Sequence, residues 1–368
     1  VCEVLNRVIM NAKRASAPAQ LNIPRDMWTQ VIDVELPAIV EFERPSGGEQ
    51  AIAQAAELMS NAKNPVILNG AGVVLSQGGI DASRMLAERL DAPVCVGYQH
   101  NDAFPGSHPL FAGPLGYNGS KAGMELISEA DVVLCLGTRL NPFSTLPGYG
   151  MEYWPANAKI IQVDINPDRI GLTKTVAVGI IADAAKAANG ILERLSETAG
   201  DDGRAERKAK IAEKKSRWAQ QLSSMDHEDD DPGTTWNQRA RADKPDWMSP
   251  RMAWRAIQSA LPTEAIISSD IGNNCAIGNA YPAFEEGRKY LAPGLFGPCG
   301  YGLPAIVGAK IGQPDVPVVG FAGDGAFGIA VNELTAIGCV GEKSRAFDAS
   351  TAGVGASKNL LQEMLASR

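Results

Sequence analysis

Pro314-Asp-Val-Pro-Val-Val-Gly-Phe-Ala-Gly-Asp-Gly-Ala-Phe-Gly-Ile-Ala-Val-Asn-Glu333 is the stretch from which the fold is read. Val316 to Phe321 is a short apolar run bounded by Pro and Gly, the pattern of a buried parallel strand. It stops at Gly323-Asp324-Gly325, and Phe327 to Ile337 reads as a helix. A strand, a tight glycine turn and a helix start place backbone N–H groups and a positive dipole end where a phosphate can sit. An acidic residue inside such a turn repels phosphate unless a cation lies between them. Asp324 therefore reads as a ligand for a hard, oxygen-loving ion such as Mg²⁺. The competing reading is an ordinary strand–helix turn with Asp324 as N-cap, since a lone Gly-Asp-Gly is a weak signal.

Two earlier stretches repeat the arrangement. Ala265–Ser269 reads as a strand ending in Asp270-Ile271-Gly272-Asn273-Asn274, with a helix from Cys275 onward. Gly294 to Pro304 is a glycine-rich bend leading into a helix over Ala305–Ile311. Three such strand ends, each polar or glycine-rich and each opening a helix, are expected to converge on one edge of a sheet.

Upstream, strands over Pro65–Asn69, Pro93–Gly97, Val132–Gly137, Ile160–Ile165 and Val176–Ile181 alternate with helices over Ala82–Leu90, Ser120–Ala130 and Ala184–Leu195. A helix over Glu49–Ala62 precedes them, with Ile52, Ala55, Ala56 and Met59 facing inward. The alternation predicts a doubly wound parallel sheet, with ligands beyond the strand C-termini. Asn69-Gly-Ala-Gly-Val73 resembles a dinucleotide turn, but Leu75 stands where the third glycine belongs, so close packing of helix on strand is the alternative. Val163 to Asp168 ends a strand where an acidic residue can contact a ribose, and turn-forming Asn-Pro-Asp explains it equally well. Before this region, Val1–Arg14 reads as a helix, Ala17–Ile23 as a strand and Ile39–Gly48 as a linker. After it, Gly200–Gln221 is charge-dense and reads as an exposed helix in a connector, followed by a solvated acidic loop at Asp226–Asp231. Ser249-Pro250 gives an N-cap followed by Pro at the first helical position.

The 368 residues suffice for two or three domains with full cores. A net charge of −8 gives no nucleic-acid surface. No apolar run approaches the roughly 20 residues that cross a bilayer, so no membrane partner is expected. The six cysteines lack metal-binding spacing and read as reduced thiols of a cytoplasmic protein. Three histidines starve any Ser-His-Asp or Cys-His hydrolase of candidates, and His100 and His108 read as structural.

Taken together, Asp270-Ile-Gly-Asn-Asn274, Gly297-Pro-Cys-Gly-Tyr-Gly-Leu-Pro304 and Gly323-Asp-Gly-Ala-Phe327 resemble the diphosphate-binding domain of thiamine-diphosphate enzymes of the acetolactate synthase-like group. Within that group Ala112–Lys121, Asn141–Gly150 and Asp246–Trp254 are similar to the sulfoacetaldehyde acetyltransferase branch. The resemblance implies an α/β fold of two doubly wound parallel-sheet domains with the remnant of a third at the N-terminus. It divides the chain into residues 1–44 (end of a pyrimidine-binding domain), 45–198 (central Rossmann-like domain), 199–248 (charged connector), 249–340 (incomplete diphosphate-binding domain) and 341–368 (atypical tail).

The cofactors implied are thiamine diphosphate and Mg²⁺, with Asp324 on the metal. Gly325 and Ala326 would offer N–H groups to the phosphates behind Gly323. Gly272, Asn273 and Asn274 match the loop that contacts the diphosphate, and Gly297 and Cys299 the bend that grips the aminopyrimidine. The resemblance implies acyl transfer from sulfoacetaldehyde to phosphate, giving acetyl phosphate and sulfite, in a homodimer or homotetramer. Acetolactate synthase or another thiamine carboligase is the nearest alternative, and a non-catalytic nucleotide-binding protein the alternative of another class. Cys299 as a nucleophile is a sharper option that thiamine makes unnecessary, because the cofactor supplies its own carbanion.

Two departures from the family pattern bear on activity. The activating Glu of the family's first domain is not assignable here, and Thr351 and Ala352 stand where a second metal ligand, an Asn, is implied. Both ends therefore read as those of a truncated or frame-shifted product, and the chain alone is expected to bind thiamine diphosphate weakly or not at all.

Overall fold

The computed structural model describes residues 2–15, 17–35, 43–226, 250–294 and 296–335. The acidic run beyond Asp226, Ser249 and the tail from residue 336 onward, with Thr351 and Ala352, lie outside the described residues. Helix α1 (Cys2–Ala15) forms as expected and buries no residue. The strand expected over Ala17–Ile23 does not form, and a 3-10 turn follows at Arg25–Thr29. Pro18 has no N–H to give a ladder, and no described strand lies alongside.

The central region runs α2 (Glu49–Ser60), β1 (Pro65–Asn69), α3 (Ala71–Leu75), α4 (Gly79–Leu90), β2 (Val94–Val96), β3 (Phe111–Pro114), α5 (Lys121–Ser128), β4 (Val132–Leu136), β5 (Lys159–Asp164), β6 (Val178–Ile181) and α6 (Ala184–Leu192). The strand order is β3-β2-β1-β4-β5-β6 and every pairing is parallel. Every residue of β1 and β4 is buried, apolar throughout in β4 and as far as Leu68 in β1, where the buried Asn69 amide donates to Ser83 Oγ and Ala103 O. Ile52, Ala55, Ala56 and Met59 are the buried face of α2. Cys95 and Cys135 are free buried thiols, and burial pushes Cys95 up to about 12. The order of the strands reverses between β1 and β4, and that is where a crevice opens at their C-terminal ends.

The Asn69–Val73 turn closes on the end of β4. Gly70 N–H donates to Leu136 O at 2.9 Å and Gly72 N–H to Gly137 O at 2.9 Å. A Cβ on Gly72 would stand 2.5 Å from the Gly137 Cα, so two backbones touch where side chains would hold them apart. Gly72→Ala is expected to cost about 1–3 kcal/mol by overpacking. Urea unfolding checks this, and an unchanged midpoint would show that the contact yields.

Helix α7 (Arg204–Asp226) was expected to be exposed, and one face of it is not. Ile211 and Trp218 are buried, and Lys214 Nζ lies 2.5 Å from Glu129 Oε1 beside α5. Apolar residues spaced seven apart on a charge-dense helix suffice to dock it, while the lysines keep their charged ends paired.

The second region contains α8 (Pro250–Ala260), β7 (Ile266–Ser269), α9 (Asn273–Gly278), β8 (Tyr290–Leu291), α10 (Gly302–Gly312), β9 (Val318–Phe321) and α11 (Asp324–Ala330), followed by a 3-10 turn at Val331–Glu333. Its sheet order is β8-β7-β9, again all parallel. Helix α11 begins at Asp324, three residues before the apolar pattern that signalled it. A first helical turn needs neither apolar side chains nor intrahelical partners for its N–H groups.

A buried polar seam joins the two sheets. Asn279 Oδ1 accepts from Gln99 N–H at 3.1 Å, and Asn101 Nδ2 donates to Asn279 O at 2.8 Å. Asp102 Oδ2 accepts from the N–H groups of Lys289 (3.0 Å) and Tyr290 (3.3 Å) at the edge strand β8. Burial raises the Asp102 pKa while those two donors oppose it.

Candidate functional site

Three turns meet beyond β7 and β9. Asp270 follows β7, is 1% exposed, and clasps the glycine bend: its Oδ1 accepts from Gly300 N–H at 3.0 Å and its Oδ2 from Gly302 N–H at 2.7 Å. Its own N–H donates to Phe321 O at the end of β9 at 2.7 Å. Asp270 thus ties all three strand ends together. Ile271 lies under Gly297, 3.7 Å from where a Cβ on that glycine would stand. Asn274 Nδ2 lies 4.0 Å from the corresponding point on Gly323, and Ile329 of α11 packs under Gly300.

The residues singled out in the sequence line this junction. Gly272 has φ +123° and ψ −164°, a conformation for glycine alone, and carries the chain from β7 into α9. A Cβ on Gly272 or on Gly325 would meet nothing within 4 Å, so both backbones border open space. Asn273 is exposed and Asn274 half-buried in the first turn of α9. In α11 the first intrahelical bond is Phe327 N–H to Gly323 O at 2.9 Å, so the N–H groups of Gly325 and Ala326 have no acceptor in the helix. The N-cap position is held by Gly323, and Asp324 makes no side-chain capping bond. That decides against the N-cap reading of Asp324. Its carboxylate is exposed at the first helical position, with no salt bridge among the described residues. Cys299 is exposed, and among the described residues its thiol has no hydrogen-bond partner.

No group of three His, Cys, Asp or Glu side chains gathers as for a metal ion among the described residues. A site built on the single carboxylate of Asp324 suits Mg²⁺, which keeps few protein ligands and takes phosphate oxygens and water for the rest. Free N–H groups, glycine backbones facing open space and one uncommitted carboxylate therefore fit a diphosphate with its cation. The sequence reading left Asp270 and Ile271 out of the site; the signal available was a carboxylate at the very end of a buried strand.

A separate cavity of about 410 Å³ lies at the switch point of the six-stranded sheet. Its lining includes Gly72, Thr138, Asp164 and four arginines, Arg44, Arg139, Arg169 and Arg288. Arg44 pairs with Asp183 at 2.9 Å. Among the described residues Arg139, Arg169 and Arg288 make no salt bridge. Asp164 is 4% exposed and its pKa is raised by burial, against the pull of an N–H bond from Asn166 and the charges of Arg169 and Arg139. His100 also lines the cavity; burial and Arg139 push it down to about 4, so it is neutral at pH 7. His108 bonds Glu88 at 3.2 Å and accepts from Leu110 N–H. His108 is thus held by structural hydrogen bonds, whereas His100 borders the cavity.

Residues 52–191 match the family described as thiamine pyrophosphate enzyme, central domain, and residues 270–340 the C-terminal TPP binding domain. A sulfoacetaldehyde acetyltransferase of Roseovarius nubinhibens is 80% identical over 338 residues, covering 92% of this chain and 56% of that protein. One of Rhodobacter capsulatus is 73% identical over 338 residues, 92% of this chain and 57% of that protein. A probable acetolactate synthase large subunit of Methanocaldococcus jannaschii is 30% identical over 332 residues, 87% of this chain and 52% of that protein. The chain spans about half the length of the curated relatives it matches. No helix among the described residues is long and apolar enough to cross a membrane.

Proposed function

We propose, for a chain that carries the central and C-terminal domains of the thiamine pyrophosphate enzymes, that it serves a sulfoacetaldehyde acetyltransferase. The reaction is conversion of sulfoacetaldehyde and phosphate to acetyl phosphate and sulfite, in the degradation of taurine and related sulfonates. The gap in identity between the two sulfoacetaldehyde acetyltransferases and the acetolactate synthase subunit carries the choice of substrate. The reading extends to a cytoplasmic homodimer or homotetramer.

In this reading Asp324 holds Mg²⁺ and the N–H groups of Gly325 and Ala326, behind Gly323, take the diphosphate. Gly272, Asn273 and Asn274 close over the same group from β7. Gly297 and Cys299 present the bend to the aminopyrimidine, held in place by Asp270 and Ile271. When bound, thiamine diphosphate supplies the nucleophilic carbon that attacks the aldehyde carbonyl. Asp324 would hold Mg²⁺, which would neutralise the diphosphate charge at this turn.

The test is a chimera in which this chain replaces the segment it matches in the Roseovarius protein. Release of sulfite with formation of acetyl phosphate from sulfoacetaldehyde and phosphate is expected. Acetolactate from pyruvate, with no sulfite release, would move the assignment to the rival carboligase.

A second reading concerns the other cavity. The switch point of a parallel sheet, lined by the glycine turn at Gly72 and by Arg288, favours a nucleoside diphosphate there. It can stand with the first or without it.

A further inference from the structure

A nucleoside diphosphate accounts for only part of the charge around the switch-point cavity. Four arginines line it against two aspartates, Asp164 and Asp183, and Asp183 is already committed to Arg44 and to Ser76 Oγ at 2.9 Å. Arg288 comes from beyond the seam, on the side of the second sheet, beside Ala292 and Gly294. Arg139 follows β4 and Arg169 follows β5, so parallel pairing of those strands brings both to the same end of the sheet as Asp164.

All three line the same cavity. Each arginine favours the ionised form of Asp164. One carboxylate thus faces two guanidinium groups and forms a salt bridge with neither. Asp164 Oδ1 accepts from Asn166 N–H at 2.9 Å, and the backbone N–H groups of Asn166 and Ile165 both favour its ionised form. A carboxylate at a strand end is the acceptor a ribose hydroxyl needs, and an arginine beside it is what accommodates a phosphate on that ribose. An acceptor flanked by two unpaired arginines has the chemistry of both.

We propose that this cavity takes a nucleotide whose ribose carries an additional phosphate. Asp164 accepts from the remaining ribose hydroxyl, and Arg139 and Arg169 hold the added phosphate. Two sources share this chemistry: a 2′-phosphate, as on a phosphorylated nicotinamide dinucleotide, and a 3′-phosphate, as on an acyl carrier of the coenzyme A type. The inference rests on the nucleotide reading of the cavity.

Calorimetric titration of the full chain with AMP, adenosine 2′,5′-bisphosphate, adenosine 3′,5′-bisphosphate and inorganic pyrophosphate tests it. One bisphosphate is expected to bind at least about tenfold more tightly than AMP and pyrophosphate, and which one does so identifies the source. Arg169→Ala and, separately, Arg139→Ala are expected to erase that margin and leave AMP binding within about twofold, with an unchanged thermal midpoint. AMP binding as tightly as both bisphosphates would overturn the inference and leave the nucleotide reading standing. Pyrophosphate matching the bisphosphates would also overturn it, by showing an anion trap without ribose recognition. Binding of none of the four at millimolar concentration would sink both.

Discussion

Asp270→Ala is expected to lower the melting midpoint of the second region by about 10 °C or more, with a smaller effect on the six-stranded sheet. The carboxylate is 1% exposed and accepts from three backbone N–H groups, those of Ile271, Gly300 and Gly302. Bonds to a charged acceptor contribute about 1.5–3 kcal/mol each, and their removal leaves the buried N–H of Gly302 with no acceptor. A loss of about 3 kcal/mol or more shifts the midpoint of a domain this size by about 10 °C or more. Near-ultraviolet circular dichroism reads it, because Trp254 packs against Phe321 with ring centroids 4.2 Å apart, one strand end from Asp270. Asp270→Asn keeps one acceptor oxygen and should fall between the two. A melting curve for Asp270→Ala that matches the wild type would mean that the glycine bend holds its shape without the clasp.

Asp324→Ala has the opposite profile, a large loss of binding with little loss of stability. The side chain is exposed and makes no capping bond, so the fold loses only a favourable charge at a helix N-terminus, about 0.3–1 kcal/mol. The proposed cation loses the carboxylate assigned to it, and no group of three His, Cys, Asp or Glu side chains gathers among the described residues to replace it. In the chimera with the Roseovarius protein, affinity for thiamine diphosphate in the presence of Mg²⁺ is expected to fall by about 100-fold, to the level the unaltered chimera shows in a chelator. Equal affinity of the two proteins with Mg²⁺ present would remove Asp324 from the metal and return the turn to a structural role.

How much of this was legible in the sequence depended on range. Pro65–Asn69 was readable to the residue, because a strand buried on both faces is an unbroken apolar run closed by turn residues. The three site turns were readable for the same reason, since glycine punctuation falls at strand ends. Strand β3 was not: Phe111-Ala-Gly-Pro114 sits in a stretch rich in Pro and Gly, and only its pairing with β2 makes it a strand. β8 has two residues and no local pattern at all.

The clasp at Asp270 links groups 30 residues apart in sequence, so no window of neighbouring residues reveals it. The arginine cavity is the same case carried further. Arg44, Arg139, Arg169 and Arg288 share a wall only once the strand order places β1 beside β4 and the seam brings the second sheet across. Asp164 was noticed as a strand-end carboxylate, yet its flanking charges lay in other segments.

Hydrogen exchange of the chain, with and without millimolar thiamine diphosphate and Mg²⁺, tests the convergence of the three turns most directly. Added protection is predicted at residues 270–274, 297–302 and 323–327 together, and is predicted to vanish when Mg²⁺ is left out. Protection at one of these turns without the others, or the same protection in the absence of the metal, would contradict a shared diphosphate-and-cation site.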